Sequence, residues 1–192
     1  MNIVMAKIKK IIAQGLFQNL RKIFYMFVSE IPIKAIINQP LQAMGKGRVL
    51  LKGDVTFGYA YSKDFYSRCG YIEARSKSAV IEINDNTFVN NSFTAIADSS
   101  SITIGKDCLI GTDVQIYDSD FHGLAPDERR STSGESQPVH ISDNVFIGNN
   151  AIILKGCRIG VNSVIAAGSL VCNDIPDNVI AGGVPCKVIR AL

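Results

Sequence analysis

Tryptophan is absent, aromatic residues make up only 8% of the chain, and the imidazole supply is two histidines. Hydrophobic residues nevertheless reach 47%, so the core must be built from aliphatic and small side chains. Six prolines are too few for a proline-rich, low-complexity chain. The five cysteines, Cys69, Cys108, Cys157, Cys172 and Cys186, form no CxxC pair and have no histidine at metal-ligand spacing. That pattern fits reduced thiols and argues against a disulfide framework or a metal centre. Long apolar runs are also lacking. The most apolar N-terminal piece, Ile23 to Val28, is too short to span a bilayer, and no secretory signal is visible, so a cytoplasmic protein is expected.

Acidic residues are scarce where basic ones gather. Residues 1–48 hold eight Lys or Arg and one acid, Glu30, about +7, whereas the remainder carries about −4. The overall +3 is too small, and the aromatics too sparse, for a nucleic-acid partner. The asymmetry suits an anionic partner or a membrane surface. Within this segment Ile8, Ile12, Leu16, Leu20, Phe24 and Phe27 lie on an i, i+4 stripe with Lys and Arg between them. They predict one or two amphipathic helices ending before Pro32 and Pro40. Such a segment can pack on the base of the domain or on another subunit. Its basic face can equally rest on an anionic membrane, a peripheral contact at the inner membrane surface.

What the sequence has in abundance is a six-residue period. Ile104, Ile110 and Ile116 are spaced by six, as are Ile141, Ile147, Ile153, Ile159, Ile165 and Val171. Four residues after these stand mostly small side chains: Cys108, Val114, Val145, Ala151, Cys157, Ser163 and Ser169. A weaker stretch continues the phase through Ile83, Val89 and Ala95, with Thr87, Phe93 and Ser99 at the small position. An α-helix repeats every 3.6 residues and a half-buried strand every two, so neither explains a period of six. One short strand plus one turn does, and three such units close a triangular coil that stacks on the next at the strand spacing of roughly 4.8 Å. The expected fold is an all-β solenoid, a parallel β-helix of hexapeptide repeats with an N-terminal helical segment and one projecting loop.

The loop is where the period breaks. From Ile116 to Ile141 the spacing is 25 residues, and the polar insertion, residues 117–140, leaves the phase intact on both sides. A segment this long in a compact domain is usually functional and should project toward a neighbour. The expected division is a basic helical segment over 1–48 and the β-helix over 49–192. Residues 49–80 are read as an irregular first coil or two, and 176–192 as a C-terminal tail.

The run IGNNAIILKGCRIGVNSVIAAGSLVCNDIPDNVIAGGVPCKVIRAL resembles the C-terminal half of hexapeptide-repeat acyltransferases, the closest type being galactoside, maltose and bacterial polysaccharide O-acetyltransferases. The resemblance covers roughly residues 80–192 and implies a left-handed β-helix that assembles as a homotrimer. It also implies acetyl-CoA as co-substrate in the cleft between neighbours, no metal, and a loop histidine as general base. The matching histidine is His122, in YDSDFHG; His140 re-enters the repeat and is read as structural. A sugar hydroxyl is a poor nucleophile at neutral pH, so a positioned imidazole is chemically apt. Asp120, or Asp118 or a backbone carbonyl, would orient the ring. By likeness Asn91 faces the acceptor, with a turn residue as the alternative. Phe146, Gly148, Asn149, Ala167, Asn173, Lys187 and Arg190 are the coenzyme contacts that the likeness implies, the last two near its phosphates. Phe146 stands where the family often has Trp, and Cys172-Asn173 replaces a common Thr-Lys pair.

Three functions stay open at this point. The first is O-acetylation of a carbohydrate hydroxyl in surface-polysaccharide or lipopolysaccharide synthesis. The second is N-acetylation of a nucleotide-linked amino sugar, and the third a catalytically silent scaffold.

Overall fold

The computed structural model describes residues 3–192. One helix, α1 (Ile3–Val28), precedes a stack of short parallel strands in which every third strand pairs. Three sheets of eight, six and five strands form the walls of a triangular prism. Each coil contributes one strand to each wall. The strands Phe88–Val89, Leu109–Ile110, Phe146–Ile147 and Val164–Ile165 thus stack in register on the first wall. The stack is a left-handed β-helix.

Alternation makes this packing possible. Along a strand one side chain points in and the next out, so Ile72, Ile81, Ile83, Ile102, Ile104, Ile116, Ile141, Ile147, Ile153 and Ile159 fill the interior with no exposure. Each contributes about 1.5–3 kcal/mol by burial. The small positions face inward too: Cys108, Val114, Val145, Ala151, Cys157, Ser163 and Ser169 are all buried. At one corner the chain turns on left-handed residues, Asn86, Asp107, Asn144, Asn162 and Asn178, with φ between 55° and 61°. Asn and Asp tolerate that conformation best among side-chain-bearing residues. They also bond to one another between coils: the Asn144 amide donates to Asn162 and the Asn162 amide to Asn178, at 2.9 and 2.8 Å.

Several expectations are corrected. The prism begins well before residue 49. Ile36–Ile37, Leu41–Met44 and Arg48–Leu51 are the first coil, and they pair with Thr56–Phe57, Gly70–Ala74 and Val80–Ile83 of the second, which is irregular as expected, residues 58–69 leaving the coil between its first two strands. The four- and five-residue strands among them carry two or more inward residues each, and the turns are longer, so strict spacing by six does not reveal them. For the same reason the phase slips after Ala95: Ser99 lies exposed on a corner, and Ala97, Ile102 and Ile104 face inward. Phe93, at a nominally small position, is fully buried 6.4 Å from Phe57. The N-terminal segment is helical as expected, a single helix that ends at Val28, where the Ser29 hydroxyl donates to the Tyr25 carbonyl at 2.6 Å. The tail, finally, is part of the prism. Val179–Gly182 continues the first wall, and Lys187–Ala191 folds back antiparallel on it and closes the top.

Candidate active site

The projecting loop leaves the corner after the strand Gln115–Tyr117 and returns at Val139–Ile141. Its root is fastened to the prism. Asp118 is fully buried and its carboxylate accepts from the backbone N–H groups of Asp98 and Ser100, at 2.7 and 2.8 Å. Burial pushes its pKa up, against the opposing pull of those bonds. Ser119 bridges Ser136, and the Gln137 N–H donates to the Asp118 carbonyl at 2.8 Å, so the stem is a short antiparallel ribbon.

At the end of that stem stands His122. Phe121 before it adopts φ 66°, a conformation bulky side chains rarely take. Its ring is held edge-on to Tyr117 at 5.8 Å and lies 4.9 Å beneath the Arg75 guanidinium. Gly134 permits the arrangement: a Cβ there would lie 2.5 Å from the Phe121 nitrogen and 2.7 Å from that of His122. The exposed His122 ring places Nδ1 3.1 Å from the Gly123 carbonyl. A carbonyl can only accept, so Nδ1 carries the proton, and in the neutral ring Nε2 is the nitrogen with the lone pair. That is the tautomer a general base requires.

Asp120 does not orient this ring. Its carboxylate takes a 2.6 Å bond from Lys155 Nζ, which also reaches Glu135 at 2.9 Å. Asp120 first and Glu135 second push the Lys155 pKa above the ordinary lysine value. Lys155 belongs to the next coil, so the triad clamps both arms of the loop stem to the prism. The orienting partner is the backbone carbonyl instead. Asn91 is corrected as well. It is fully buried and its amide donates to the Tyr59, Ser62 and Lys63 carbonyls at 3.0, 3.2 and 2.9 Å, while accepting from the Tyr59 N–H at 2.9 Å. With its donors and acceptor engaged, it anchors the 59–63 excursion rather than meeting an acceptor.

The residues ascribed to the coenzyme gather on another part of the prism. Phe88, Leu109, Phe146, Val164, Ile180 and Arg190 are successive register partners on the first wall, pointing outward. They make an apolar strip that ends in a cation. Lys187 lies in the same closing strand, opposite Gly182. At the adjoining corner Gly148 passes close to the coil above, where a Cβ would meet the Ala167 nitrogen at 2.5 Å. Asn149 spends its side-chain oxygen on the Thr112 N–H at 2.8 Å, which leaves its amide group exposed. An apolar strip, accessible backbone at a tight corner and terminal cations suit a long, thin ligand with an anionic end. Asn173 stands apart: it sits beyond the strand Leu170–Val171, at the corner from which the loop projects. Within one chain the His122 loop therefore projects from the corner between the other two walls, apart from the wall that carries the Phe146 strip.

Sequence reading missed Lys155, Arg75 and Gly134. Lys155 and Arg75 act on the loop from outside it, Gly134 from its returning arm, and no local motif marks them. Burial favours the protonated thiol at the buried cysteines. Desolvation lifts Cys157 to about 11 and raises Cys108 and Cys186 as well. His140 lies exposed in a strand between Thr103 and Arg158.

A prism of short parallel strands with one loop histidine defines the class, a hexapeptide β-helix with a candidate acyl-transfer site. The bacterial transferase hexapeptide model, of six repeats, matches residues 138–173. Candidate acetyltransferase YJL218W of Saccharomyces cerevisiae is 39% identical over 142 residues, 74% of this chain and 67% of that protein. WbbJ of Escherichia coli K12, a candidate lipopolysaccharide biosynthesis O-acetyl transferase, is 35% identical over 150 residues, 72% of each. Against the galactoside O-acetyltransferases of Lactococcus lactis and Escherichia coli the chain spans about half of their length, 46% and 54%. A solved galactoside acetyltransferase in complex with coenzyme A superposes with a TM-score of 0.54 at 27% identity, covering 93% of this chain and 82% of that one. The chain belongs to the hexapeptide-repeat acetyltransferase family and is an acyltransferase.

Proposed function

We propose that the protein transfers an acetyl group from acetyl-CoA to a carbohydrate hydroxyl in the synthesis of a surface polysaccharide or lipopolysaccharide. The observation that carries the reading is His122, exposed on a fastened loop with Nδ1 engaged by the Gly123 carbonyl and Nε2 free. In this role Nε2 takes the hydroxyl proton as the oxygen attacks the acyl carbon, then returns it to the departing thiolate. Transfer is direct, without an acyl-enzyme, since none of the five cysteines carries a recognisable partner base. Phe146 and the outward strip would support the coenzyme's apolar arm, the Gly148–Ala167 corner its amides, and Lys187 and Arg190 its phosphates.

His122 and the coenzyme strip meet only if a second copy presents its strip to the loop of the first. A homotrimer with the site between neighbours satisfies this, and it is part of the proposal. So are a cytoplasmic location and a membrane-proximal, lipid-linked acceptor. The test is thiol release from acetyl-CoA with a panel of hydroxyl and amino sugars, comparing the wild-type chain with His122→Ala. Hydroxyl-dependent release that drops by about 10²–10⁴-fold in the variant supports the reading. Release on amino sugars that survives the substitution would replace it with N-acetylation.

A further inference from the structure

The helix α1 is mounted with its polar side toward its own prism. Gln18 is buried, and its amide donates to the carbonyls of Asn38 and Phe65, both at 3.1 Å. Arg21 donates to the Phe65 carbonyl at 3.1 Å and to that of Arg68. Gln14, Lys22 and Tyr25 are the half-buried neighbours of these two. At about 100° per residue all five fall within one side of the helix. Ile12, Leu16, Leu20, Phe24 and Phe27 occupy the opposite side, and their exposures run from 57% to 78%. An amphipathic helix that served only to cap the prism would be turned the other way. An uncovered stripe of this length marks an interaction surface.

Charge selects the partner. Lys7, Lys9 and Lys10 lie exposed in the N-terminal half of α1, and no acidic residue occurs anywhere between Ile3 and Val28. A second copy's helix would bring the same three lysines and no carboxylate to meet them. A bilayer rich in anionic lipid matches both features at once, with an apolar interior for the stripe and phosphates for the ammonium groups. Among the described residues no helix is long and apolar enough to cross a membrane. We propose that α1 docks the protein on an anionic bilayer surface, lying in its plane with Ile12, Leu16, Leu20, Phe24 and Phe27 in the acyl boundary. This deepens the reading of a membrane-proximal acceptor but stands on the mounting of the helix, and its test reads binding rather than acetyl transfer.

The test is co-sedimentation of the full chain with phosphatidylcholine vesicles, with and without a third of phosphatidylglycerol. Two variants accompany the wild type: Leu20→Glu/Phe24→Glu and Lys7→Gln/Lys9→Gln/Lys10→Gln. The wild type binds the anionic vesicles preferentially, and salt weakens that binding. The apolar-face variant loses at least about tenfold in partitioning. Each lysine is worth about fivefold, so the triple variant falls by roughly a hundredfold. Both variants keep the wild-type melting temperature and lipid-free mass, since the replaced side chains do not support the prism. Equal binding to neutral and anionic vesicles, or variants that bind as the wild type does, would overturn the proposal. A smaller lipid-free mass for Leu20→Glu/Phe24→Glu would also overturn it, and would assign the stripe to an interface between copies.

Discussion

A Lys155→Met substitution isolates the clamp that holds the His122 loop. Lys155 and Asp120 are 35 residues apart, meet at 2.6 Å, and keep 18% and 24% of their side-chain surface exposed. A half-buried, charge-assisted bond of this kind contributes about 1–2 kcal/mol, above an exposed pair and below a fully buried one. Lys155 is rooted in the prism while Asp120 belongs to the loop, so the loss falls on loop closure and not on the global fold. One to two kcal/mol corresponds to a factor of about 5–30 in the open-to-closed ratio. Native-state amide exchange reads that ratio directly at the stem, where the N–H groups of Asp118, Asp120 and Gln137 bond to Ile96, Glu135 and Asp118. Those amides exchange about 5–30 times faster in the variant, whereas the strand amides around Ile147 are unchanged. Turnover falls by up to the same factor, the Michaelis constant for acetyl-CoA stays put, and Lys155→Arg restores both. Unchanged stem exchange, or equal acceleration throughout the prism, would refute the assignment of Lys155 as a local clamp.

Two further outcomes follow from the packing and the charges. Ile147→Ala removes a fully buried side chain between two coils, and should lower stability by about 2–5 kcal/mol in chemical denaturation; a loss below about 1 kcal/mol would mean the prism collapses into the void. Glu73 is held below the usual carboxylate range, chiefly by its bond from Arg75. A depressed pKa stabilises the fold above the unfolded value near 4.3, and that contribution is lost as pH falls through the folded pKa. The stability gap between wild type and Glu73→Gln should therefore be constant above about pH 5 and close progressively in more acid solution. A gap that widens on acidification would contradict it.

The sequence by itself determined the prism from Ile104 to Val171, because a six-residue strand-turn unit has one way to bury an isoleucine per unit. It also placed the excursion between Ile116 and Ile141 and, within it, His122 as the histidine outside the repeat. Periodicity weakened before Ile104, where the strands lengthen to four or five residues and the turns vary, so the coil over residues 36–51 was legible only in three dimensions. Tertiary structure alone decided the partners of side chains whose sequence neighbours suggested otherwise. Asp120, two residues from His122, is taken by Lys155, and Asn91 closes on the carbonyls of Tyr59, Ser62 and Lys63. The amphipathic stripe of α1 was plain from spacing, yet which side would meet the prism was not. That depended on backbone carbonyls of Asn38 and Phe65, which draw Gln18 inward and leave the apolar side uncovered. Spacing along a chain encodes which residues share a face, and only the folded surroundings determine what that face meets.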